Sequence, residues 1–244
     1  MVIWVPMARL DSSFVPLIPK PVYQLRNLFH EKAIFIVAPG PSLGDFPVDK
    51  LNGYRTLVLN SAWEVTPKPW LWMFADKRFS RIYMKDMHAG TAPPRILIAD
   101  HQLGVCRYFK GIEVLYYQWQ IQLKRYSRGL SLWWINEDRN FLPGRCSVFN
   151  NALSFCEMAG FSRVITIGVD FSERGDKYYV DGIRKNAGPT GRERALRSGR
   201  NWYAGGMRKK LWPNISLYST SDTFSKFAKI KKLSSDEAFA MYED

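Results

Sequence analysis

Four short segments follow apolar runs, and each carries side chains that could do chemistry. Gly40-Pro41-Ser42-Leu43 follows Ala33 to Ala38, and Asn60-Ser61 follows Thr56 to Leu59. Asp76 follows Leu71 to Ala75, and Gly168-Val169-Asp170-Phe171 ends the run that begins at Arg163. Glycine at position 40 lets backbone approach a ligand closely, and a helix start behind it offers N–H groups to phosphate. The turn is neither a GxGxxG fingerprint nor a GxxxxGK[ST] loop. The Asn60 amide suits a ribose, base or sugar, or its own turn. Asp76, beside Lys77 and Arg78, is a carboxylate for an acceptor proton, a donor hydroxyl or a metal, or else a salt-bridged cap. Asp170 can bind ribose hydroxyls, as acidic residues do in nucleotide sites, or cap a turn. Tyr178 and Tyr179 follow a Gly175-Asp176 turn, and their hydroxyls can hold phosphate oxygens without adding charge.

The runs that position these residues are short and continuously apolar: 33–38, 56–59, 71–75, 95–99, 112–117, 163–169 and 215–218. Strands buried on both faces of a parallel sheet read this way. Ser147 to Ala159 repeats apolar residues at helical spacing, with Ser147 to cap its start and Gly160 its end. Ser42 is expected to N-cap a short turn after the first run. Strands alternating with helices or long connections predict an α/β fold: a Rossmann-like, mostly parallel sheet flanked by helices. Ligands then sit beyond the carboxyl ends of the strands, where strand order reverses, so the four exits are expected to converge. Residues 1–32, with four prolines in the first thirty, read as an arm; 33–220 as the domain; 221–244 as a basic-then-acidic tail.

The chain has 244 residues, 46% hydrophobic and 15% aromatic, which excludes a disordered protein and suits one domain. No apolar run approaches the ~18–20 residues of a membrane span. Met1 to Leu10 contains Pro6 and Arg9 and lacks a signal-peptide core, so a cytoplasmic location is expected. Cys106, Cys146 and Cys156 form no CxxC, and His30, His88 and His101 share no ligand spacing. Neither a disulfide framework nor a protein metal site is expected, although carboxylates together with substrate phosphates could hold a metal.

The run Phe35-Ile36-Val37-Ala38-Pro39-Gly40-Pro41-Ser42-Leu43 resembles the first strand and GPSL turn of the glycosyltransferase family 42 sialyltransferases. It is equally similar to a wider GPSL group: motility-associated factors, 6-hydroxymethylpterin diphosphokinase-like proteins and many bacteriophage proteins. Ser147 to Ala152, continued by Gly160 to Phe171, is similar to that group's helix–strand unit ending in G-[IV]-D-F. Leu57 to Trp63 and Trp72 to Asp76 look like the phage members' strands ending in Asn and in Asp. The resemblance covers residues 33–180. It implies a GT-A-like sialyltransferase type of fold and a nucleotide-sugar donor bound without a required metal; the departures given below make a UDP-type donor at least as expected as the CMP type. Carried over, Gly40, Pro41 and Ser42 meet the donor phosphate, and Asn60 and Asp76 line the donor pocket. Gly168, Asp170 and Phe171 hold the nucleoside, and Tyr178 matches a phosphate-binding tyrosine. Departures are clear: Pro39 replaces the family's Asn, Ser172 one of its phosphate tyrosines, and no histidine follows His101. A carboxylate base is then expected, Asp76 first and Asp170 second.

Formal net charge is +13, and the stretch from Asp181 to Lys232 holds thirteen Lys and Arg against three acids. This stretch includes the segment 181–212, where the sialyltransferases carry a lid. Arg192, Arg194, Arg197 and Arg200 are the expected phosphate or nucleic-acid contacts, with Trp202, Tyr203 and Trp212 interleaved. The leading expectation is a glycosyltransferase whose acceptor hydroxyl belongs to a hydroxymethylated pyrimidine in phage-type DNA. Two alternatives stand beside it. One is an ATP-dependent phosphate or pyrophosphate transferase with Mg²⁺ on Asp76 or Asp170. The other is a non-catalytic nucleotide- or nucleic-acid-binding protein.

Overall fold

The computed structural model describes residues 18–74, 77–99, 102–103, 111–117, 142, 147–171, 181, 200–201, 203–204 and 211–243. The apolar runs form strands β2 (Ala33–Val37), β3 (Thr56–Leu59), β4 (Leu71–Phe74), β5 (Arg95–Ala99), β6 (Glu113–Tyr117), β7 (Arg163–Ile167) and β8 (Ser216–Ser219). A two-residue strand, β1 (Lys20–Pro21), adds to one edge. They make one eight-stranded sheet in the order β1-β6-β5-β4-β3-β2-β7-β8, every pair parallel.

Side chains alternate between two buried faces, as strand geometry requires. Ile34, Ile36, Leu57, Leu59, Leu71 and Met73 face helix α3 (Val148–Ala159) and Phe224 of α4 (Asp222–Ala228). Phe35, Val37, Val58, Trp72 and Phe74 face α1 (Lys77–Ile82), α2 (Met84–Ala89) and α5 (Ser235–Glu243). The result is the expected Rossmann-like sandwich of helices on both sides of a parallel sheet. Helix α3 ends on Gly160 at φ +90°, a conformation that costs glycine little. Ser147 occupies its N-cap position without a side-chain cap bond.

Three expectations are corrected. Residues 221–243 are no tail. They form α4 and α5, and Leu233 and Ala238 lie in the core. The Phe35 ring stacks on Tyr242 and meets Phe239 edge-on, and the Arg55 amide donates to the Tyr242 hydroxyl. Apolar residues spaced along a charged segment were enough to cover a strand pair. The described part of the arm is equally attached: β1 pairs with β6, and the amides of Asn27 and Phe29 donate to Met158 and Ala159. Ser42 is not an N-cap; Gly40 takes that place, with Pro41 following.

From β2 the chain steps outward through β3, β4, β5 and β6, then returns to the other side of β2 with β7 and β8. Strand order therefore reverses between β2 and β7, and the crevice of such a sheet opens beyond their carboxyl ends.

Candidate functional site

At the β2–β7 switch point the two backbones touch. Their ladder continues past the strands: the Ala38 amide donates to Ile167 (2.8 Å) and the Gly40 amide to Gly168 (2.9 Å). Gly168 sits at φ +70°, and a Cβ there would stand 2.0 Å from the Ala38 carbonyl oxygen. A Cβ on Gly40 would stand 2.4 Å from the Gly168 carbonyl oxygen and 2.6 Å from Asp170 Oδ2. Both glycines are needed for this contact between chain segments.

Asp170 closes the junction. Its Oδ2 accepts the Ser42 amide at 2.9 Å, and its Oδ1 accepts the Ser221 hydroxyl in a short hydrogen bond. Ser221 in turn N-caps α4, accepting the Phe224 amide at 3.3 Å. One carboxylate, 8% exposed, thus ties the turn after β2 to the C-terminal helices. This changes the chemistry expected of the turn. The amides of Gly40, Ser42 and Leu43 are used within the protein, and Pro41 has none. The phosphate cradle expected there is filled by the chain's own carboxylate. The Ser42 hydroxyl remains, buried and without a partner among the described residues.

Asn60 follows β3 at the same carboxyl edge, at φ +53°, where asparagine is among the few side chains tolerated. Its carbonyl accepts the Trp72 indole N–H at 2.6 Å. Its side-chain amide has no partner among the described residues. Phe171, at φ +51°, lies among rings, 5.7 Å from Phe149 and 5.5 Å from Phe224. Arg200, exposed, donates Nε to the Phe171 carbonyl at 2.7 Å. The structure therefore brings Gly40, Pro41, Ser42, Gly168, Asp170, Phe171 and Arg200 together, with Asn60 on the neighbouring strand end. Strand β4 ends at Phe74 on the same edge, but Asp76 lies outside the described residues. So do Tyr178, Arg192, Arg194 and Arg197, along with most of the segment 181–212.

On the α5 side of Asp170 lies a cleft of about 490 Å³. Ser42, Asp45 and Phe46 form one wall, Thr220 to Thr223 a second, and Lys232 to Ser235 a third. Asp222 accepts from Lys226 at 2.7 Å and Lys232 at 3.4 Å, bonds that hold its carboxyl below the ordinary range. Sequence reading missed Ser221 and this cleft because it treated their segment as a tail. Two signals were present: Ser221 directly before a helical run, and the spacing of Ser234 and Glu237. The latter is a capping box, in which the Ser234 amide donates to Glu237 (2.7 Å) and the Glu237 amide to Ser234 (3.2 Å). Among the described residues, no cluster of His, Cys, Asp and Glu could hold a metal, and no helix is long and apolar enough to cross a membrane.

No family model and no curated protein matches the chain. Solved structures do. The sialyltransferase CstII from Campylobacter jejuni with the substrate analogue CMP-3FNeuAc matches at 15% identity and TM-score 0.47, over 87% of this chain and 99% of that one. A Cst-II variant in complex with CMP matches at 14% identity and TM-score 0.49, over 84% of this chain and 87% of that one. The monofunctional alpha-2,3-sialyltransferase Cst-I from Campylobacter jejuni matches at 12% identity and TM-score 0.43, over 81% of this chain and 79% of that one.

Proposed function

We propose that the protein transfers a sugar from a nucleotide-sugar, of UDP or CMP type, to a hydroxyl acceptor. The observation that carries this reading is the convergence of the β2, β3 and β7 exits at the point where strand order reverses. Open α/β sheets bind nucleotides there. The resemblance of four motifs, in order, to the sialyltransferases and their GPSL relatives supports a nucleotide-sugar as the donor class. In this reading Asn60 and Phe171 contact the nucleotide, Tyr178 meets the donor phosphate, and Ser42 shapes the turn behind it. Asp170, with both oxygens engaged by Ser42 and Ser221, acts as a positioning residue. Asp76 takes the acceptor proton, and Arg192, Arg194 and Arg197 stabilise the departing phosphate.

The acceptor in this proposal is a hydroxymethylated pyrimidine in DNA, drawn to the basic stretch that ends at Lys232. A buried base would have to be flipped out of its stack, or met in single-stranded form. Incubation with a panel of nucleotide-sugars and hydroxymethylated DNA, with and without EDTA, tests both levels. Nucleotide release with a mass gain on the modified nucleoside, surviving EDTA, is the expected outcome. Transfer to a different alcohol keeps the transferase and removes the DNA. Turnover of ATP alone, abolished by EDTA, points instead to a phosphate transferase.

A further inference from the structure

On the α3 face, five rings meet beside the exit of β7, and among the described residues the cluster is open on one side. Phe149, Tyr203 and Phe224 are buried and Phe171 is half-buried, whereas Phe227 is exposed. Phe227 lies three residues after Phe224 on α4, so it stands on the same stripe of that helix, at the rim of the cover. Its ring centroid is 6.2 Å from that of Phe171 and 5.9 Å from that of Tyr203. Phe171 itself holds φ +51°, a left-handed conformation that bulky side chains rarely adopt and that clusters at ligand clamps. Arg200 secures it, donating Nε to the Phe171 carbonyl at 2.7 Å. The arginine is exposed and has no carboxylate partner among the described residues, so its charge is open to a ligand. The Ser221 cap, bonded to Asp170, fixes the start of α4 to the same strand exit.

With 38% of Phe227 exposed, its open area is roughly 60–95 Å². A protein partner needs about 800 Å² a side, so this surface is too small for one. It suits one face of a single planar ring. The open cation beside Phe171 asks for a negative group next to that ring. A nucleobase with its phosphate meets both demands, since every base has a π-face that stacks on an exposed aromatic side chain. We infer that Phe227 is the surface on which the donor's nucleobase stacks, beside Phe171, and that Arg200 meets the charge of the same nucleotide. The inference rests on the transferase reading, which puts a nucleotide at Phe171, and it adds the residue that holds the base. Stacking reads the face of a base and not its edges, so this contact accepts uracil and cytosine alike.

The test is a series at position 227 of the full chain, with CMP and UDP as probes in calorimetric titration and a melting curve to show that each variant is folded. Phe227→Ala should weaken the nucleotide that the parent chain binds by about fivefold or more. Phe227→Leu, which keeps apolar bulk and loses the π-face, should weaken it nearly as much. Phe227→Trp should bind at least as tightly as the parent. The emission that Phe227→Trp adds over the parent should fall when the nucleotide is added, and should hold when ribose 5-phosphate, which has no base, is added instead. Parental affinity in Phe227→Ala, full affinity in Phe227→Leu, or added emission that ignores the nucleotide would each overturn the stacking assignment and leave the nucleotide reading intact. Binding of neither CMP nor UDP by the parent chain would overturn that reading as well.

Discussion

Asp170 shows how a side chain's setting decides its task. With its carboxylate removed, the Ser42 amide and the Ser221 hydroxyl lose their acceptors in a mostly buried place. Asp170→Ala should therefore cost about 2–3 kcal/mol in urea unfolding. Asp170→Asn should cost less. Its amide oxygen can still accept Ser42, and its nitrogen can donate to Ser221. Gly168→Ala forces a Cβ against the Ala38 carbonyl at positive φ and should cost more than either, read as a large fall in melting temperature. Tyr203 gives the opposite sign. It is 2% exposed, its hydroxyl has no partner among the described residues, and burial pushes its pKa up to about 12. Tyr203→Phe should leave stability at pH 7 unchanged or raise it by up to about 1 kcal/mol. In the parent chain the unfolded tyrosine, near 10, ionises first, so stability falls as pH rises from about 10 to about 12. The phenylalanine variant should lack that part of the fall in alkaline urea titrations. The residues of the switch point were legible in the sequence as polar exits from apolar runs. What each carboxylate faces was not, because an aspartate at a strand end has the same sequence signature whether it meets a ligand or a turn 128 positions away.

The strands were legible as elements because a two-sided burial demand leaves few polar positions, mostly at strand ends, to confuse the pattern; Thr56–Leu59 and Arg95–Ala99 match the apolar runs residue for residue. Helix α3 was legible through its spacing and its glycine stop. The C-terminal helices were not, since α5 needs only one face of nine residues to cover its patch and shows charge elsewhere. Yet Phe239 and Tyr242 close over Phe35, Phe46 and Tyr54. A chain ending at Leu233 should leave those rings open to water. It should lose its cooperative melt and bind a hydrophobic dye in the absence of denaturant. Ser234→Ala, which removes one half of the capping box, should cost about 1 kcal/mol in the same unfolding measurement. Phe171 and Tyr203 belong to a similar cover on the opposite face, in which Phe149 of α3 meets Phe224 of α4 at 5.4 Å.

Across the whole molecule, charge and topology work on different scales. Net charge is +13, while the cleft beside Asp170 carries more acid than base. Among the described lysines of the basic stretch, Lys226 and Lys232 bond Asp222, and Lys231 lies 3.9 Å from Glu237. Those pairs leave few described lysines for phosphate, so the DNA-acceptor proposal stands on a direct measurement: binding present at low salt that falls steeply as salt rises, with a slope set by the number of phosphates neutralised. Affinity that ignores salt would remove DNA from the acceptor proposal. The parallel order has a temporal consequence too. Strand β2 sits inside the sheet, yet one of its two neighbours is encoded far downstream, and Ser42 waits 128 positions for Asp170. At roughly 5–20 residues per second on the ribosome, that edge stays unpaired for roughly 6 to 25 seconds of synthesis. A nascent chain halted before Arg163 would present a bare apolar strand to its neighbours, which makes this protein a natural client for whatever shields emerging polypeptides.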